Sequence, residues 1–343
     1  MTGRRMVHGI QSYAQRVLFT KDPAMARATN SVIGEYSDAV HAEDRDGLRV
    51  GPYGYKFRLL DGVVMPPYVT PARYKLSRTL KTRLGDICYT SYPKSGSTWL
   101  AYILVMIVNS GRIPTDKNSL RDCLQWVESS WTYPRSENEI EALPSPRIFK
   151  SHMPYSMALG GDPAENDCKY IYIARNPKDV AVSYYFFERQ KSWSGYYTGS
   201  WSHWLEMFCK GTVQRGSWFE HVLSWWEKRH LPNVLFICYE DLQFDFMQEL
   251  RTIVEFLGRS LDEGIPKEIS VRARFDNMQK DRFSNMHEIK EFQGFFRQGQ
   301  VGSWKQQFTR EQSEVFDSLY NQKMEGSGLN LNVAHPALRF ANR

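Results

Sequence analysis

Length, composition and charge together indicate a globular protein. The chain has 343 residues, of which 42% are hydrophobic and 14% aromatic; this is enough apolar material for a substantial core and excludes a disordered chain. A net charge of +6 suits an anionic ligand but falls short of the clustered basic face of a nucleic-acid-binding protein. Five cysteines without a C-x-x-C pair predict reduced thiols in the cytoplasm rather than a disulfide framework or a zinc site. No apolar stretch reaches the roughly 18 residues of a membrane span, so no membrane partner is expected.

The chain divides into three predicted parts. We expect residues 1–50 to form an N-terminal extension, residues 51–325 a single domain and residues 326–343 an exposed C-terminal tail. Residues 1–21 contain three arginines and one lysine but no acidic residue, which fits a mitochondrial transit peptide as well as a surface extension. Residues 53–71, with their glycines and a Pro-Pro pair, indicate an irregular lead-in to the core.

From residue 86 onward, short apolar strands alternate with helical patterns. In chain order the sequence predicts strand 86–92, helix 97–109, strand 147–150, strand 169–174, helices 177–190 and 217–230, strand 234–239, and helices 243–257 and 309–325. This alternation predicts an α/β domain with a central, mainly parallel sheet flanked by helices. In such sheets ligands bind beyond the carboxyl ends of the strands.

The most informative segment follows the first of these strands and reads Y-P-K-S-G-S-T-W over residues 92–99. A short turn between a strand and a helix aims backbone N–H groups and the positive end of the helix at an anion. Lys94 adds a full charge, and Gly96 lets the backbone approach an oxygen closely. Because the lysine stands two residues before the only glycine, the loop differs from the G-x-x-x-x-G-K-[ST] loop of nucleoside triphosphatases. We therefore expect a nucleotide phosphate in a different kind of loop.

Two later segments are further candidates for anion binding. R-N-P-K-D-V-A-V-S begins with Arg175 at the end of a strand and runs into a helix with proline in its first turn. The guanidinium fork suits bidentate phosphate binding, and the hydroxyl of Ser183 could reach the same group. The second segment, F-R-Q-G-Q-V-G-S-W-K, contains Arg297, Gln298 and Gly299.

Together these segments resemble the motifs of the cytosolic sulfotransferase family, whose co-substrate is 3′-phosphoadenosine 5′-phosphosulfate (PAPS). The resemblance covers about residues 55–325. It implies that the loop residues Lys94, Ser95, Gly96, Ser97, Thr98 and Trp99 bind the 5′-phosphosulfate. It also implies that Arg175, Ser183, Arg297 and the backbone of Gly299 bind the 3′-phosphate. Gln298 stands where the family usually has lysine, so we expect somewhat weaker PAPS binding.

The same resemblance nominates residues for the adenine. Trp99 and Phe275 would form two faces of an aromatic sandwich, and Tyr239 would offer a hydroxyl. Stacking suits a purine because the ring buries apolar area with little geometric demand. At Ala273 the family commonly has a hydroxyl residue, so one hydrogen bond to adenine is expected to be missing.

The catalytic candidate is the triplet Lys150-Ser151-His152, at the end of a predicted strand. An imidazole with a reference pKa of about 6.5 can accept a proton from an attacking hydroxyl. The triplet resembles the family's catalytic site, which implies that His152 is the general base. By the same resemblance Lys94 would stabilise the leaving 5′-phosphate and Lys150 the sulfuryl group, without a divalent metal.

The acceptor is less clearly marked in the sequence. By resemblance, the segments that hold Trp126, Trp131, Phe186 and Phe187 line the acceptor site, which suggests an aromatic-walled pocket for a phenol, an alcohol, a catecholamine or a steroid. The same aromatic residues are equally consistent with a structural core.

Oligomeric state and two alternative functions stay open. A family dimer motif, K-x-x-x-T-V-x-x-x-E, is present only in part, because Arg310 replaces its valine, and we expect a monomer or a weak homodimer. One alternative function is a catalytically silent PAPS- or nucleotide-binding protein of the same fold. The other is a P-loop nucleotide kinase, which the absence of G-K-[ST] disfavours.

Overall fold

A computed structural model describes residues 47–131, 134–285 and 296–331 of the chain. The strands are β1 Arg49–Val50, β2 Lys56–Leu60, β3 Val63–Met65, β4 Ile87–Thr90, β5 Ile148–Ser151, β6 Lys169–Ala174 and β7 Val234–Cys238. The last four form a parallel sheet in the order β5-β4-β6-β7. This confirms the predicted α/β class with a parallel sheet.

Helices occupy the connections between the strands. They are α1 Pro71–Thr79, α2 Ser97–Val108, α3 Glu137–Glu141, α4 Pro177–Glu188, α5 Trp201–Lys210, α6 Trp218–Trp226, α7 Tyr239–Phe244, α8 Phe246–Phe256, α9 Ile265–Arg272, α10 Phe275–Lys280 and α11 Arg310–Met324. Short 3-10 turns cover Pro52–Gly54, Leu120–Cys123, Tyr155–Met157, Pro163–Glu165 and Ser303–Gln306.

The two faces of the parallel sheet pack into separate apolar clusters. On one side α2 is apolar throughout its centre, and every residue from Leu100 to Ile107 is buried, as expected of a helix that is covered on all sides. On the other side the cluster contains three fully buried tryptophans, at positions 204, 218 and 225. Burial of the strands on both faces explains why they read as continuous apolar runs in the sequence.

Strand register brings the candidate segments to one edge of this sheet. Thr90 at the end of β4 lies beside Ser151 at the end of β5 and Tyr172 near the end of β6. The chain therefore leaves three adjacent strands in the same direction, and the segments that follow them emerge together.

The predicted irregular lead-in over residues 53–71 is wrong in part. Strands β2 and β3 form an antiparallel hairpin, and β1 pairs with β2 on the other side. The turn is Asp61-Gly62, with φ angles of 48° and 77°, the left-handed conformation of a two-residue hairpin turn. The Asp-Gly pair was thus the sequence signal for this hairpin.

The predicted helix over 243–257 is confirmed for Phe246–Phe256 but not for its start. Two helices, α7 and α8, meet at Asp245, whose backbone angles of −137° and 70° are not helical. The carboxylate of Asp245 accepts a hydrogen bond of 3.1 Å from the backbone N–H of Gln248 and so caps α8.

The expectation of an exposed tail from Gly326 holds for Gly326 and Gly328 but fails for the end of the described segment. Leu329 and Leu331 are buried. The side chain of Asn176 donates to the carbonyl of Leu331 at 2.9 Å, next to the start of α4. The proposed extension over 1–50 falls largely outside the described residues, and the domain limits stay predictions.

A buried ion pair holds β5 against the loop that precedes β4. Arg147 donates through Nε to Asp86 at 2.9 Å and through Nη2 to the same carboxylate, and both side chains are at most 1% exposed. Arg147 also donates to the carbonyls of Lys81 and Ile140. Removal of one partner leaves the other charge buried and unpaired. The resulting loss of stability exceeds the net stabilisation that the intact pair provides.

We predict that Arg147→Met lowers the free energy of unfolding by about 3–5 kcal/mol, measured by urea denaturation, because Asp86 stays buried without its cation. The matched control is Arg310→Met, which removes an arginine from an exposed pair with Glu314. The control should unfold at the same urea concentration as the parent chain. Equal effects of the two variants would contradict the assignment.

Candidate active site

A cavity of about 540 Å³ opens where β4, β5 and β6 end. It brings together nearly all the residues nominated from the sequence. Among its lining residues are Lys94, Gly96, Ser97, Thr98, Trp99, Trp126, Trp131, Lys150, His152, Arg175, Ser183, Phe187, Tyr239, Phe275, Arg297, Gln298 and Gly299. Two nominated residues do not line it: Ser95 is buried beneath the loop, and Phe186 is 36% exposed on the protein surface.

The loop after β4 has the geometry of an anion cradle. Lys94 and Gly96 have φ angles of 71° and 103°, so the backbone adopts a positive φ at two positions before α2 begins. Gly96 is the N-cap of α2 and provides no side-chain cap, which leaves N–H groups of the first turn for a ligand. A Cβ atom at Gly96 would lie 2.6 Å from the Tyr239 ring, so only glycine fits between this ring and the loop.

Lys94 is held close to other cations. Its Nζ lies 4.2 Å from the centre of the Phe187 ring. Burial lowers the pKa of Lys94 well below its usual value, and the nearby charges of Lys191, Arg175 and Lys150 lower it further. An anion bound beside this ammonium group would raise the pKa of Lys94 again, because the anion attracts the charged form of the lysine.

Arg175 and Arg297 form a second cationic region. Arg175 donates to the carbonyls of Lys94 at 3.3 Å and Gln300 at 2.9 Å, and Arg297 donates to the hydroxyl of Ser303 at 2.8 Å. Within the described residues, the buried Nε atoms of both arginines have no hydrogen-bond partner. Burial and the charge of Arg175 lower the pKa of Arg297. These groups fit a phosphate, which offers acceptor oxygens and negative charge.

Asp179 is a positioning residue that the sequence did not single out. It is fully buried, and its carboxylate accepts from the N–H of Gly302 at 2.7 Å, the hydroxyl of Ser303 at 3.1 Å and the N–H of Trp304 at 2.9 Å. One carboxylate on α4 therefore fixes the segment that carries Arg297. The only sequence signal was its place in R-N-P-K-D, which by itself suggested a residue of the first helical turn.

The aromatic end of the cavity differs in one detail from expectation. The Trp99 and Tyr239 rings meet edge to face at 5.3 Å, and a Cβ at Gly299 would lie 2.1 Å from the Phe275 ring. The Tyr239 hydroxyl, which was expected to face adenine, instead donates to the carbonyl of Gly299 at 3.0 Å and accepts from Gln243. Tyr239 therefore joins the first loop to the last one. The Nε1 of Trp99 is one of several buried donors that have no hydrogen-bond partner among the described residues.

His152 has the protonation state of a base. Its Nδ1 lies 2.9 Å from the carbonyl oxygen of Ser91, which can only accept, so Nδ1 carries the hydrogen and Nε2 has the lone pair. Burial lowers the pKa of His152 well below 6.5, and the charges of Lys150 and Arg215 lower it further. The ring is therefore neutral at physiological pH. It lies 5.8 Å from the ring of Trp126.

Glu128 supports this histidine, and the sequence gave no separate signal for it. Its Oε1 accepts from the backbone N–H of His152 at 2.9 Å and from the hydroxyl of Ser151 at 3.2 Å. Burial lowers the pKa of Lys150 to about 8, and the charge of Glu128 opposes this shift. The Nζ of Lys150 lies 4.0 Å from the centre of the Trp126 ring.

Aromatic side chains enclose the cavity near His152. Trp131 and Trp193 rings lie 4.4 Å apart, Tyr68 lies 5.2 Å from Trp126, and Phe187 lies 6.1 Å from Trp193. Tyr68 and Trp193 were not nominated from the sequence, because they lie in segments without a motif. These two residues form one aromatic wall with Trp126, Trp131 and Phe187, which suits a flat apolar ligand.

The described residues contain neither a cluster that could hold a metal ion nor a helix that could span a membrane. No cluster of three or more His, Cys, Asp or Glu side chains in residues 47–131, 134–285 and 296–331 is placed to hold a metal ion. In the same residues, no helix combines the length and the apolar character that crossing a membrane requires.

Comparison with known proteins gives consistent matches. The family model of the sulfotransferase domain matches residues 84–328. Sulfotransferase 1C2 of Homo sapiens is 32% identical over 285 residues, which cover 80% of this chain and 95% of that protein. Sulfotransferase 1B1 of Mus musculus is 39% identical over 254 residues, with 71% of this chain and 84% of that protein covered.

Solved structures match as well. The crystal structure of a mouse sulfotransferase complexed with PAP is 31% identical, with a TM-score of 0.66 and coverage of 78% of this chain and 95% of that one. Retinol dehydratase in complex with androsterone and PAP shares the fold, with a TM-score of 0.71 at 22% identity over 91% of this chain and 98% of that one.

A second buried histidine allows a test of the electrostatics around His152. His221 donates through Nε2 to the carbonyl of His152 at 3.2 Å, and burial lowers its pKa to about 3. Below about pH 6.5 the unfolded chain binds a proton at this position that the folded chain does not, so acid favours unfolding. This stabilising contribution is present above pH 6.5 and is lost as the pH falls.

We predict that the free energy of unfolding of the parent chain falls more steeply with acid than that of His221→Gln. The difference in slope between pH 6 and pH 4 should be about 1.4 kcal/mol per pH unit, as measured by urea denaturation. Parallel slopes would mean that His221 takes up its proton in the folded state.

Proposed function

The chain belongs to the cytosolic sulfotransferase family and is a PAPS-dependent sulfotransferase, and from this premise we propose how its residues transfer a sulfuryl group to a small molecule. The observation that carries the proposal is that one cavity is lined by a neutral His152, by two cationic regions and by an aromatic wall. The proposed acceptor group is a hydroxyl or an amine, on a phenol, an alcohol, a catecholamine or a steroid.

The cavity has the features that PAPS requires. It holds two neighbouring cationic regions, one at Lys94 and one at Arg175 and Arg297, which we assign to the 5′- and 3′-phosphates of this molecule. Gly96 and Gly299 keep the backbone open where any Cβ would meet an aromatic ring. The ring faces of Trp99 and Phe275 line the same cavity and are the proposed contacts of the adenine.

His152 is the proposed general base. PAPS supplies an activated sulfuryl group whose bond to the 5′-phosphate is broken in the reaction. As the acceptor oxygen forms its new bond to sulfur, Nε2 of His152 takes the proton from that oxygen. The Nδ1–H bond to Ser91 and the backbone bond to Glu128 hold the ring and its tautomer in place.

The two lysines stabilise the charges that this transfer moves. Lys94 is the proposed partner of the leaving 5′-phosphate, and the N–H groups at the start of α2 support the same oxygens. Lys150 lies beside Trp126 and His152 and is the proposed partner of the sulfuryl oxygens. Gln298 is neutral and bonds to Gln306 at 3.1 Å, so it adds no charge to the phosphate region.

Two further proposals concern the oligomeric state and the location of the protein. Arg310 pairs with Glu314 of its own helix at 2.8 Å on the exposed surface, so the position offers a charge where an apolar dimer contact was expected. We propose a monomer or a weak homodimer. The proposed location is the cytoplasm, and the mitochondrial alternative concerns residues 1–21, which lie outside the described residues.

We predict that the purified chain transfers label from [35S]PAPS to a panel of phenols, alcohols, catecholamines and steroids, in the presence of EDTA. His152→Ala should lower kcat by about 10²–10⁴-fold, because the proton acceptor is lost, while PAP affinity by calorimetry changes little. The matched control is His230→Ala, a histidine that is exposed and does not line the cavity.

The outcomes separate the alternatives. Tight PAPS binding without transfer to any acceptor would favour the silent binding protein. Transfer from ATP that depends on magnesium would favour the kinase. Full turnover in His152→Ala would remove this residue from the mechanism.

A further inference from the structure

Two arginines in the wall of the cavity have no role in the mechanism above. Arg73 and Arg135 both line the cavity. Nε of Arg73 donates to the carbonyl of Val127 at 2.7 Å, and Nη1 of Arg135 donates to the side-chain oxygen of Gln125. The two guanidinium groups thus hold the residues immediately before and after Trp126. They lie on the acceptor side of the cavity, because the Trp126 ring is in contact with that of His152.

These two charges are not neutralised by ion pairs. In the part of the chain that the structure describes, the hydrogen bonds of Arg73 and Arg135 run to carbonyl and amide oxygens, and neither arginine forms an ion pair. Each guanidinium has five N–H groups and uses only one or two of them in these bonds. Both side chains are partly buried, so their charges are poorly screened by water.

The acidic groups near these arginines are already engaged. Glu128, whose charge acts on Arg73, accepts hydrogen bonds from Ser151 and from the backbone of His152. Asp116 pairs with Lys117 at 2.9 Å, and Asp122 accepts from the backbone N–H groups of Asn118 and Ser119. A third arginine, Arg121, lies with its Cζ 5.7 Å from the Trp131 ring, which adds further positive charge to this wall.

Glu188 is a further carboxylate that lines the cavity. It is buried, and its Oε2 has no hydrogen-bond partner among the described residues. Burial raises its pKa to about 7, and the charges of Lys191 and Lys94 oppose this rise. Two lysines therefore surround this carboxylate, and it does not offset the arginines of the other wall.

Resting on the proposed function, we propose that the preferred acceptor carries an acidic group as well as its hydroxyl, and that Arg73 and Arg135 bind this group. The acceptor class is an aromatic hydroxy acid: the hydroxyl faces His152, the ring lies along Trp126, and a carboxylate, sulfate or phosphate meets the two guanidinium groups. Planar N–H forks suit all three oxyanions, and partial burial strengthens the contact.

The test compares phenols that share a two-carbon side chain and differ in the group at its end, which is an anion, a neutral amide or a cation. The acceptors are 4-hydroxyphenylpropionate, its neutral amide and tyramine, with PAPS as donor. For the parent chain we expect kcat/KM to be at least about tenfold higher for the acid than for the amide, and lowest for tyramine, since one charge-assisted contact corresponds to about this factor. The ratio should fall as salt is added.

Variants of Arg135 locate the effect. Arg135→Gln should reduce the ratio of acid to amide several-fold, because Arg73 alone then faces the acidic group, while Arg135→Lys, which keeps the charge, should retain most of the ratio. The control Arg251→Gln, at an exposed arginine that donates to Gln248 on α8, should keep the full ratio. Thermal unfolding and PAP affinity, measured for each variant, show whether it is folded.

The proposal and the underlying function fail in different ways. Equal kcat/KM for acid and amide in the parent chain, or an undiminished preference in Arg135→Gln, would overturn the inference while transfer itself stands. No transfer from PAPS to the three phenols or to any member of the wider acceptor panel, under conditions in which PAP binds, would overturn the proposed function.

Discussion

Cations gathered beyond the carboxyl ends of parallel strands are the constraint on which the rest of this structure depends. Lys94 and Arg175 follow β4 and β6, and Lys150 lies near the end of the neighbouring strand β5. Burial lowers the pKa of both lysines, and the charges of Lys191, Arg175 and Lys150 lower that of Lys94 further. Such a group is costly without an anion, because no nearby carboxylate neutralises it fully. Burial of the two apolar clusters on the faces of the sheet offsets this unfavourable free energy. A ligand with several negative charges relieves the repulsion, which gives the binding energy a clear source.

The loops that carry these cations are held to one another as well as to the sheet. The Tyr239 ring packs on Gly96, and its hydroxyl bonds to the carbonyl of Gly299, so one side chain joins the first phosphate segment to the last. Asp179 fixes the neighbouring residues of that last segment through three hydrogen bonds. The site is thus organised in advance of ligand binding, as electrostatic stabilisation of a transfer reaction requires.

The sequence predicted the sheet and the motif residues better than the surrounding elements. Buried strands read as apolar runs, and Lys94, His152 and Arg175 stand directly after them, so their convergence followed from topology. The hairpin at Asp61-Gly62 was missed although its turn signal was present, and the break at Asp245 was hidden because α7 and α8 both have helical periodicity. Tyr68 and Trp193 could not be found, since only tertiary packing brings these isolated residues to the cavity. The same holds for Glu128, which tertiary packing places against the backbone of His152.

The central claim is that two cationic regions recognise two separate phosphates of one nucleotide. Calorimetry with adenosine 3′,5′-bisphosphate and with 5′-AMP, which lacks the 3′-phosphate, measures this directly. The account predicts that the parent chain binds the bisphosphate at least about 100-fold more tightly, and that Arg175→Gln removes most of this difference. Equal affinity for the two nucleotides in the parent chain would contradict it.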